Sequence, residues 1–233
     1  MLQRLLWKML PKTHRRFLLG CLPVEQRQIV NKVLSARAYF PDFFREKHCL
    51  FIHVPKCAGT SVCCALFDGG RPGHLPLYWY EQMFPAEYAA SFKFTFVRDP
   101  LERAYSAYTF LKRNHGSGRD REAYELVSRH ANFDGFVSNW LHPENVHKQL
   151  HFVPQSTFLC DSTGSLAMDF IGHQERMEED FRQLCERTGW NAKLPQANRS
   201  PDAHMTIREQ CTVRTRRLVR RVYERDYHLL GYD

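Results

Sequence analysis

A lysine, a glycine and two hydroxyl residues follow an apolar run in the first third of the chain. The run is CLFIHV at residues 49–54, and Lys56, Gly59, Thr60 and Ser61 come after it. A short apolar run is typical of a buried parallel strand, and the residues that follow favour a turn and then a helix. The first N–H groups of a helix are unpaired, and its dipole is positive there. This order predicts an anion-binding site, to which Lys56 adds a full charge.

A second apolar run, FKFTFV at residues 92–97, leads into Arg98. Its alternation of aromatic and polar residues predicts another strand, and the residues behind it predict a helix start. Asp99 can cap this helix, and Glu102 would complete a capping box with it. Ser106 lies eight positions after Arg98, about two turns into the helix. Arg98 and Ser106 could therefore reach one phosphate from different sides.

Together, these two segments resemble the signature of a sulfotransferase family. The matching residues are HVPKCAGTS at 53–61 and FVRDPLERAYS at 96–106. They are similar to carbohydrate sulfotransferases that use 3'-phosphoadenosine 5'-phosphosulfate (PAPS), in the branch that includes heparan sulfate 2-O-sulfotransferase and many bacterial relatives. Further segments similar to the bacterial members are VPQ at 153–155, DFIG at 169–172, Glu175, and Asp180 with Phe181. The resemblance covers about residues 48–233.

The resemblance implies a fold, a donor and a set of donor-binding residues. The fold would be a P-loop-like three-layer α/β fold, with a mainly parallel central sheet flanked by helices. The first segment would hold the 5'-phosphosulfate through backbone N–H groups and hydroxyls, and the second would bind the 3'-phosphate. The residues assigned to the donor in this way are Lys56, Cys57, Ala58, Gly59, Thr60, Ser61, Arg98 and Ser106. Cys57 departs from the family, which more often has threonine there, so a side-chain role at this position is in question.

Sulfuryl transfer is an in-line displacement in which negative charge builds on the leaving phosphate oxygen, much as in phosphoryl transfer. Lys56 is our candidate for stabilising that oxygen. We predict that His74 is the general base for the acceptor hydroxyl, because it lies between the two motifs, similar to a glycine-histidine pair of the 2-O-sulfotransferase branch. The alternative is a loop histidine that only hydrogen-bonds the backbone. Glu81 and His53 are fallback bases, although His53 on its apolar strand is more typical of a structural residue.

Two other functions fit parts of the sequence. A P-loop-type nucleotide-dependent kinase would place Lys56 on phosphates, but its motif GxxxxGK[ST] has the lysine after the second glycine, whereas here lysine precedes glycine by three positions. A kinase also needs a magnesium-binding acid, and Asp99, the acid at the end of the second predicted strand, is expected to cap a helix instead. The second alternative is a non-catalytic basic protein that binds nucleic acid, for which we recognise no motif.

The two motifs lie in a chain whose strand and helix signals alternate. Two further strands are predicted at 155–160 and 167–172, around a polar turn. Helices are predicted at about 59–69, 78–90, 100–113, 119–152 in two or three pieces, 176–188 and 207–227. The predicted caps are Asn132 or Asp134, and a capping box of Thr206 and Glu209. This alternation favours an α/β fold with a largely parallel sheet.

The length of 233 residues, 43% of them hydrophobic, fits one domain better than two. We divide the chain into an N-terminal helical extension, residues 1–47, and a sulfotransferase domain, residues 48–233. Residues 1–19 mix leucines with basic side chains, which suits an anionic membrane surface. Pro11 interrupts that pattern, and packing on the protein's own core is the alternative. No apolar stretch approaches the ~18 residues that span a bilayer, so no transmembrane segment is expected.

A net charge of +8 favours an anionic partner, which could be a nucleotide, an acidic glycan, nucleic acid or a membrane surface. Six arginines fall along one predicted helix between residues 214 and 225. They are either a solvated face or, with the loop at 198–200, contacts to the acceptor or the adenosine. Given the resemblance, we expect PAPS, its product adenosine 3',5'-diphosphate (PAP) and a carbohydrate acceptor as partners, and no nucleic acid.

The eight cysteines include no CxxC pair, and HKQLH at 147–151 lacks the glutamate of a zinc-protease helix. No metal is therefore expected. Several cysteines lie in apolar runs and we see no secretory signal, which favours reduced, buried thiols. The sequence thus predicts a cytoplasmic protein that could contact a membrane through residues 1–19.

Overall fold

The centre of the molecule is a sheet of three parallel strands in the order β1, β2, β3. The computed structural model describes residues 6–7, 9–35, 39–113, 120–195 and 207–232. The strands are β1 (Cys49–Ile52), β2 (Phe92–Val97) and β3 (Phe170–His173). Helices flank this sheet. The predicted fold class, a P-loop-like three-layer α/β fold with a parallel central sheet, is confirmed.

The described helices are numbered in chain order. They are α1 (Lys12–Gly20), α2 (Val24–Ser35), α3 (Asp42–Glu46), α4 (Gly59–Leu66), α5 (Leu77–Met83), α6 (Pro85–Ala90), α7 (Pro100–Arg113), α8 (Arg121–Ser128), α9 (Phe133–Asn139), α10 (Pro143–Val146), α11 (Gln155–Leu159), α12 (Met177–Thr188), α13 (Ile207–Gln210), α14 (Val213–Val222) and α15 (Glu224–Leu230). Two turns of 3-10 helix occupy Leu150–Phe152 and Gln174–Arg176.

Strand β1 is buried along its whole length, in keeping with its four apolar residues. Parallel strands carry such continuous apolar sequence because helices cover both faces of their sheet. The ladder pairs Cys49 with Phe92 and Ile52 with Thr95. The buried hydroxyl of Thr95 donates to the carbonyl oxygen of Ile52 at 2.8 Å, which joins the two strand ends. The two predicted motifs therefore leave the sheet side by side.

The predicted strand at 155–160 is wrong, because these residues form helix α11. Pro154 precedes the helix, and the carboxylate of Asp226 accepts the N–H groups of Gln155 and Ser156 at 2.7 and 2.8 Å. A short apolar run does not distinguish a buried strand from a buried helix. Here the carboxylate of Asp226, 71 positions from Gln155, stabilises the helix by binding its first N–H groups. The strand predicted at 167–172 is found as β3, which begins at Phe170.

Two of the predicted helices are divided. The helix predicted at 78–90 ends before Pro85, which has no N–H to continue it and begins α6 instead. The helix predicted at 207–227 consists of α13, α14 and α15. Between α14 and α15, the hydroxyl of Tyr223 donates to the carbonyl oxygen of Phe152 at 2.8 Å. This long-range bond fixes the break between the last two helices.

The remaining helix predictions hold with small shifts. The segment 119–152 contains α8, α9 and α10, and the side chain of Asn132 caps α9 by accepting the N–H of Gly135 at 2.9 Å. The predicted cap Thr206 lies outside the described residues. Within them, Thr212 caps the arginine-rich helix α14.

The apolar core has two parts. The sheet cluster packs around the strands, and its largest buried side chains are Phe40, Phe44, Phe51, Trp79, Tyr80, Phe94, Phe96 and Phe158. The helical cluster packs between α7, α8, α9 and α14, and its buried residues include Leu101, Tyr108, Leu111, Val127, Phe136, Phe152, Val219 and Tyr223. The first motif follows a strand of the sheet cluster, whereas the second leads into the helical cluster. The two motifs therefore lie at the border between the sheet cluster and the helical cluster.

The segment predicted as an N-terminal extension contains α1, α2 and α3. Helix α2 begins at Val24, whose N–H donates to the carbonyl oxygen of His147 at 2.9 Å. The buried carboxylate of Glu25 lies 3.0 Å from Nδ1 of the same histidine, and this hydrogen bond raises the pKa of His147. The start of α2 is thus fixed to the segment after α10. None of the described helices combines the length and the apolar character needed to cross a bilayer.

Candidate active site

The loop between β1 and α4 contains two left-handed residues that are not glycine. The φ angle is +70° at Lys56 and +58° at Ala58. Such backbone costs about 1–3 kcal/mol per residue, and it clusters at functional sites. Helix α4 begins at Gly59, and Ala58 provides no side-chain cap for its first N–H groups. Left-handed residues before a helix start can turn successive N–H groups toward a bound anion. This geometry fits the anion-binding site predicted from the sequence, which stays a prediction.

Close packing beneath this loop requires Gly59. A Cβ atom at this position would lie 2.0 Å from the ring of His53, so another residue would displace that ring. The His53 ring stacks on Phe51 with 5.7 Å between centroids, and its centroid lies 4.4 Å from that of His74. Burial, with the nearby His74 and Arg71, lowers the pKa of His53 to about 3. His53 is therefore an uncharged packing residue of the site.

The Nδ1 atom of His74 lies 2.7 Å from the carbonyl oxygen of His53. A carbonyl oxygen only accepts hydrogen bonds, so in the neutral ring Nδ1 carries the hydrogen and Nε2 keeps its lone pair. Burial lowers the pKa of His74, while the bond to His53 and the charge of Asp120 oppose that shift. The backbone bond expected of a structural loop histidine is present. Because that bond places the hydrogen on Nδ1, Nε2 keeps the lone pair with which a general base accepts a proton.

The ammonium group of Lys56 lies over the ring of Phe110 on α7, with Nζ 3.8 Å from the ring centroid. The electron-rich face of an aromatic ring attracts a cation at this distance. Burial and the charge of Arg98 lower the pKa of Lys56 to about 8, and Asp120 acts in the opposite direction. Lys56 is thus mostly charged at pH 7 in a partly desolvated place. A bound anion would stabilise that charge.

His151 joins this group from the segment after α10. Its ring centroid lies 5.6 Å from that of Phe110. Burial lowers the pKa of His151 to about 4, Asp120 opposes this, and Lys56 and His74 add to it. The charges of Lys56, His74 and Asp120 all act on His151, so these four side chains lie near one another, and we refer to the space between them as the cleft. The structure therefore brings together the two residues that we predict to be catalytic, Lys56 and His74.

Arg98 leaves the end of β2 toward the same edge of the sheet. Its Nη2 lies 3.5 Å from Oε2 of Glu102, and its Nε is buried with no hydrogen-bond partner among the described residues. A buried donor left in this state costs about 1–3 kcal/mol. Ser106 lies one turn after Glu102 on α7, half-buried, and its hydroxyl has no hydrogen-bond partner in the described part of the chain. The same holds there for the hydroxyls of Thr60 and Ser61.

The buried side chain of Gln155 connects the two motifs. Its Oε1 accepts the N–H of Arg98 at 3.0 Å and the S–H of Cys57 at 3.2 Å, and its Nε2 donates to the carbonyl oxygen of Arg98 at 2.7 Å. The Cys57 side chain therefore points into the interior, where burial raises its pKa to about 12. What Cys57 offers an anion is its backbone N–H.

Asp99 caps α7, because its Oδ1 accepts the N–H groups of Leu101 and Glu102 at 2.9 and 3.0 Å. The predicted capping box is wrong in its second half, since the N–H of Asp99 is bound at 2.7 Å by Glu175. The Oδ2 of Asp99 pairs with Arg208 at 2.8 Å. With both oxygens engaged, Asp99 is a poor candidate for the magnesium ligand that a kinase needs. Among the described residues, no three His, Cys, Asp or Glu side chains are grouped to hold a metal ion.

Arg103, one turn into α7, is fully buried and fixes the segment that carries His151. Its Nη1 donates to the carbonyl oxygen of His151 at 3.2 Å, and its Nη2 donates to that of Val153 at 2.7 Å. The guanidinium lies 5.5 Å from the ring centroid of Tyr223. The backbone around His151 is therefore held by a cation of the helical cluster.

Other sequence candidates lie away from this cleft or outside the described residues. The fallback base Glu81 accepts the N–H of Ser162 at 2.8 Å in a separate turn. The arginine-rich helix borders a surface cavity of about 330 Å³, lined by Arg217, Arg220, Arg221, Glu224, Tyr227 and His228. The loop at 198–200 lies outside the described residues, so its predicted contact with the acceptor or adenosine stays a prediction.

Four further residues belong to this group although their sequence context predicts no role in the site: Phe110, Asp120, His151 and Gln155. Phe110 follows Ser106 by four positions, which places both on one face of α7 and was a usable signal. Gln155 ends the segment VPQ, which resembles the family, and it begins the strand predicted at 155–160. His151 was considered only as a metal ligand. We find no local signal for Asp120.

Residues 42–233 match the sequence profile described as the sulfotransferase family. Carbohydrate sulfotransferase 14 of Mus musculus is 33% identical over 107 residues, which cover 41% of this chain and 28% of that protein. The chain thus spans well under two thirds of the length of this curated relative. No solved structure matches the chain significantly. Because the family profile extends over both motifs and every strand of the sheet, this chain belongs to the sulfotransferase family.

Proposed function

We propose that this chain transfers a sulfuryl group from PAPS to a hydroxyl group of a carbohydrate. The observation that carries the proposal is the left-handed loop at Lys56, next to an Arg98 whose buried Nε has no partner among the described residues. Two cationic anchors suit a donor that is anionic at both its 5' and 3' positions. Family membership supports the reaction class. The name of the matched relative, carbohydrate sulfotransferase 14, supports a carbohydrate acceptor.

The residues present fit such a donor. In this proposal the N–H groups of residues 57–61 hold the 5'-phosphosulfate, with the Thr60 and Ser61 hydroxyls assisting. Arg98 and Ser106 hold the 3'-phosphate, so the buried Nε of Arg98 gains the acceptor that the described residues do not provide. Gln155 keeps the two anchors at a fixed separation, because it is bonded to both Cys57 and Arg98.

The proposed reaction is an in-line displacement at sulfur. The acceptor oxygen forms the new bond to sulfur, the bond from sulfur to the phosphate oxygen breaks, and the electron pair leaves with PAP. Lys56 stabilises the negative charge on that leaving oxygen. His74 takes the hydroxyl proton on Nε2, since its Nδ1–H is held by the carbonyl oxygen of His53. Burial lowers the pKa of His74, which favours the unprotonated ring that can accept a proton.

Sulfuryl transfer is tested by incubating the protein with radiolabelled PAPS and a panel of glycans, lipids and small alcohols. We expect label in one or more glycans. Label only in lipids or alcohols would retain the reaction class and reject the carbohydrate acceptor. The absence of label from every acceptor, with PAPS unconsumed, would contradict the proposal.

Ligand-induced stabilisation separates the three candidate functions without an acceptor. PAP should raise the melting temperature, because a ligand that binds only the native state adds about 2.7 kcal/mol at a hundredfold excess over its dissociation constant. ATP with magnesium should have a smaller effect. Equal or greater stabilisation by ATP would favour the kinase, and salt-sensitive binding of nucleic acid without sulfuryl transfer would favour the non-catalytic alternative.

A further inference from the structure

The ring of His151 lies at the proposed active-site cleft, but it has no role in the proposed reaction, which uses Lys56 and His74. It packs against the ring of Phe110, and the ammonium group of Lys56 lies over that same ring. The charges of Lys56, His74 and Asp120 all act on it. His151 thus lies near Lys56, the group that would face the leaving oxygen, because both pack against Phe110.

Among the described residues, three imidazoles lie at the cleft, and they differ in what holds them. His53 is packed between Phe51 and Gly59, and His74 is bonded through Nδ1 to a carbonyl oxygen. The ring nitrogens of His151 have no hydrogen-bond partner among the described residues, although its backbone carbonyl is held by Arg103. Polar groups of largely buried side chains are nearly always hydrogen-bonded to protein, water or ligand. The ring of His151 is therefore rigidly supported and available to a ligand.

A neutral imidazole carries one N–H donor and one acceptor nitrogen. Burial keeps the pKa of His151 near 4, so at neutral pH the ring offers that N–H without adding a second full charge beside Lys56. In the proposed transfer, the sulfuryl group brings three non-bridging oxygens into the cleft as acceptors. Fixed donors aimed at such oxygens stabilise the group as it moves between two partners.

We propose that His151 is a further catalytic residue, which donates a hydrogen bond from its imidazole N–H to a non-bridging oxygen of the sulfuryl group. Lys56 contacts the bridging oxygen in the same complex, and His74 remains the base. No covalent bond to His151 forms or breaks, and it gives up no proton. This inference rests on the proposed sulfotransferase function.

The experiment compares PAPS with PAP as ligands in the absence of any acceptor, since the two differ by the sulfuryl group. Dissociation constants are measured for the wild type, His151→Phe, His151→Gln and the control His142→Ala. Phenylalanine retains a ring against Phe110 without the N–H, and glutamine restores a donor. His142 is a half-buried histidine that directly precedes α10 and contacts no group of the cleft.

We expect His151→Phe to weaken PAPS binding about tenfold while PAP binding changes less than about twofold, as for one lost bond to a charged group. Its kcat should fall about a hundredfold, in the range for a lost transition-state donor. His151→Gln should regain at least part of both losses, and His142→Ala should match the wild type. A His151→Phe enzyme that keeps wild-type kcat and wild-type preference for PAPS overturns the inference alone. A wild type that binds neither ligand overturns the proposed function as well.

Discussion

The sheet cluster and the helical cluster contribute to the site in different ways. On the side of the sheet cluster, Lys56 lies in the left-handed loop that follows β1, and His74 is held there by the hydrogen bond from its Nδ1 to the carbonyl oxygen of His53. On the side of the helical cluster, Phe110 from α7 and His151 from the segment after α10 are distant in sequence, and their rings lie 5.6 Å apart. The buried side chain of Arg103 joins α7 to the backbone of His151, and Gln155 connects this half of the site to the first through Arg98 and Cys57. The first half of the site thus lies within residues 53–74 and is what we call locally built, whereas the second depends on hydrogen bonds between segments 48 or more positions apart.

This contrast has a consequence for mutations. A side chain in the locally built half can be removed while the backbone that carries it remains in place. A buried polar side chain that joins distant segments leaves several unsatisfied groups when it is removed, and each costs free energy. We therefore expect variants of the first kind to change chemistry or binding alone, and variants of the second kind to change stability as well.

The largest effect is expected for His74→Ala, in the locally built half. Loss of a general base typically lowers turnover by roughly two to four orders of magnitude. Affinity for PAP should stay unchanged, because His74 faces the acceptor hydroxyl rather than the donor phosphates in our proposal. Turnover with a glycan acceptor and titration with PAP measure the two quantities. A fully active alanine variant would show that the bond to His53 is the whole role of His74.

Arg98→Ala should chiefly weaken donor binding, since Arg98 is assigned to a phosphate that does not react. A hydrogen bond to a charged group contributes about 1.5–3 kcal/mol, which corresponds to about a 10- to 150-fold rise in the dissociation constant of PAP. Calorimetric titration with PAP measures it. Arg121→Ala, which removes an exposed arginine paired with Glu125, is the matched control. Unchanged affinity in Arg98→Ala would refute the 3'-phosphate assignment.

Gln155→Leu tests the hydrogen bonds that connect the two halves of the site through Cys57 and Arg98. The substitution leaves the N–H and carbonyl groups of Arg98 without their partner, and a buried unsatisfied group costs about 1–3 kcal/mol. We expect a lower free energy of unfolding in urea together with weaker PAP binding. Gln183→Leu, on the exposed face of α12, should stay within about 0.5 kcal/mol of the wild type. If Gln155→Leu is as stable as that control, the two motifs do not depend on this residue.

The pH profile of kcat/KM should have an alkaline limb near pH 8, because Lys56 must be charged and burial beside Arg98 lowers its pKa to about 8 in the free protein. Lys56→Arg should move that limb upward by at least about one unit, since arginine stays protonated. Folding, unlike catalysis, favours the uncharged form of Lys56. The folded protein binds fewer protons at Lys56 than the unfolded chain, so stability from this residue rises between pH 8 and 10.5. An alkaline limb unchanged in Lys56→Arg would assign it to another group.

The smallest effect is expected for Cys57→Thr, which restores the residue more common in the resembling family. The threonine hydroxyl can donate to Oε1 of Gln155 in place of the S–H, so the substitution leaves no buried polar group without a partner. Thermal unfolding and PAP titration should both differ little from the wild type. A tenfold change in PAP affinity would mean that the side chain at this position reaches the donor.

Local sequence was sufficient for the parts of the fold whose signals lie within a few residues of one another. The apolar run of β1, the alternation of β2 and the Asp99 cap of α7 depend on neighbouring residues, and all three are found. The helix start at Gly59 was also predicted from neighbouring residues and is found, whereas the left-handed backbone at Lys56 and Ala58 was not predicted. These features predicted the α/β fold class and the resemblance to a sulfotransferase.

Tertiary structure decided what local patterns left ambiguous. The run at 155–160 fits strand and helix equally well, and Asp226 selects the helix by binding its first N–H groups. Glu175 replaces Glu102 at the N–H of Asp99 because a residue distant in sequence lies closer in space. His151 reaches the cleft only because Arg103 holds its backbone against α7. In each case a buried polar group takes the partner that the packed chain brings nearest, and no short segment of sequence specifies that partner.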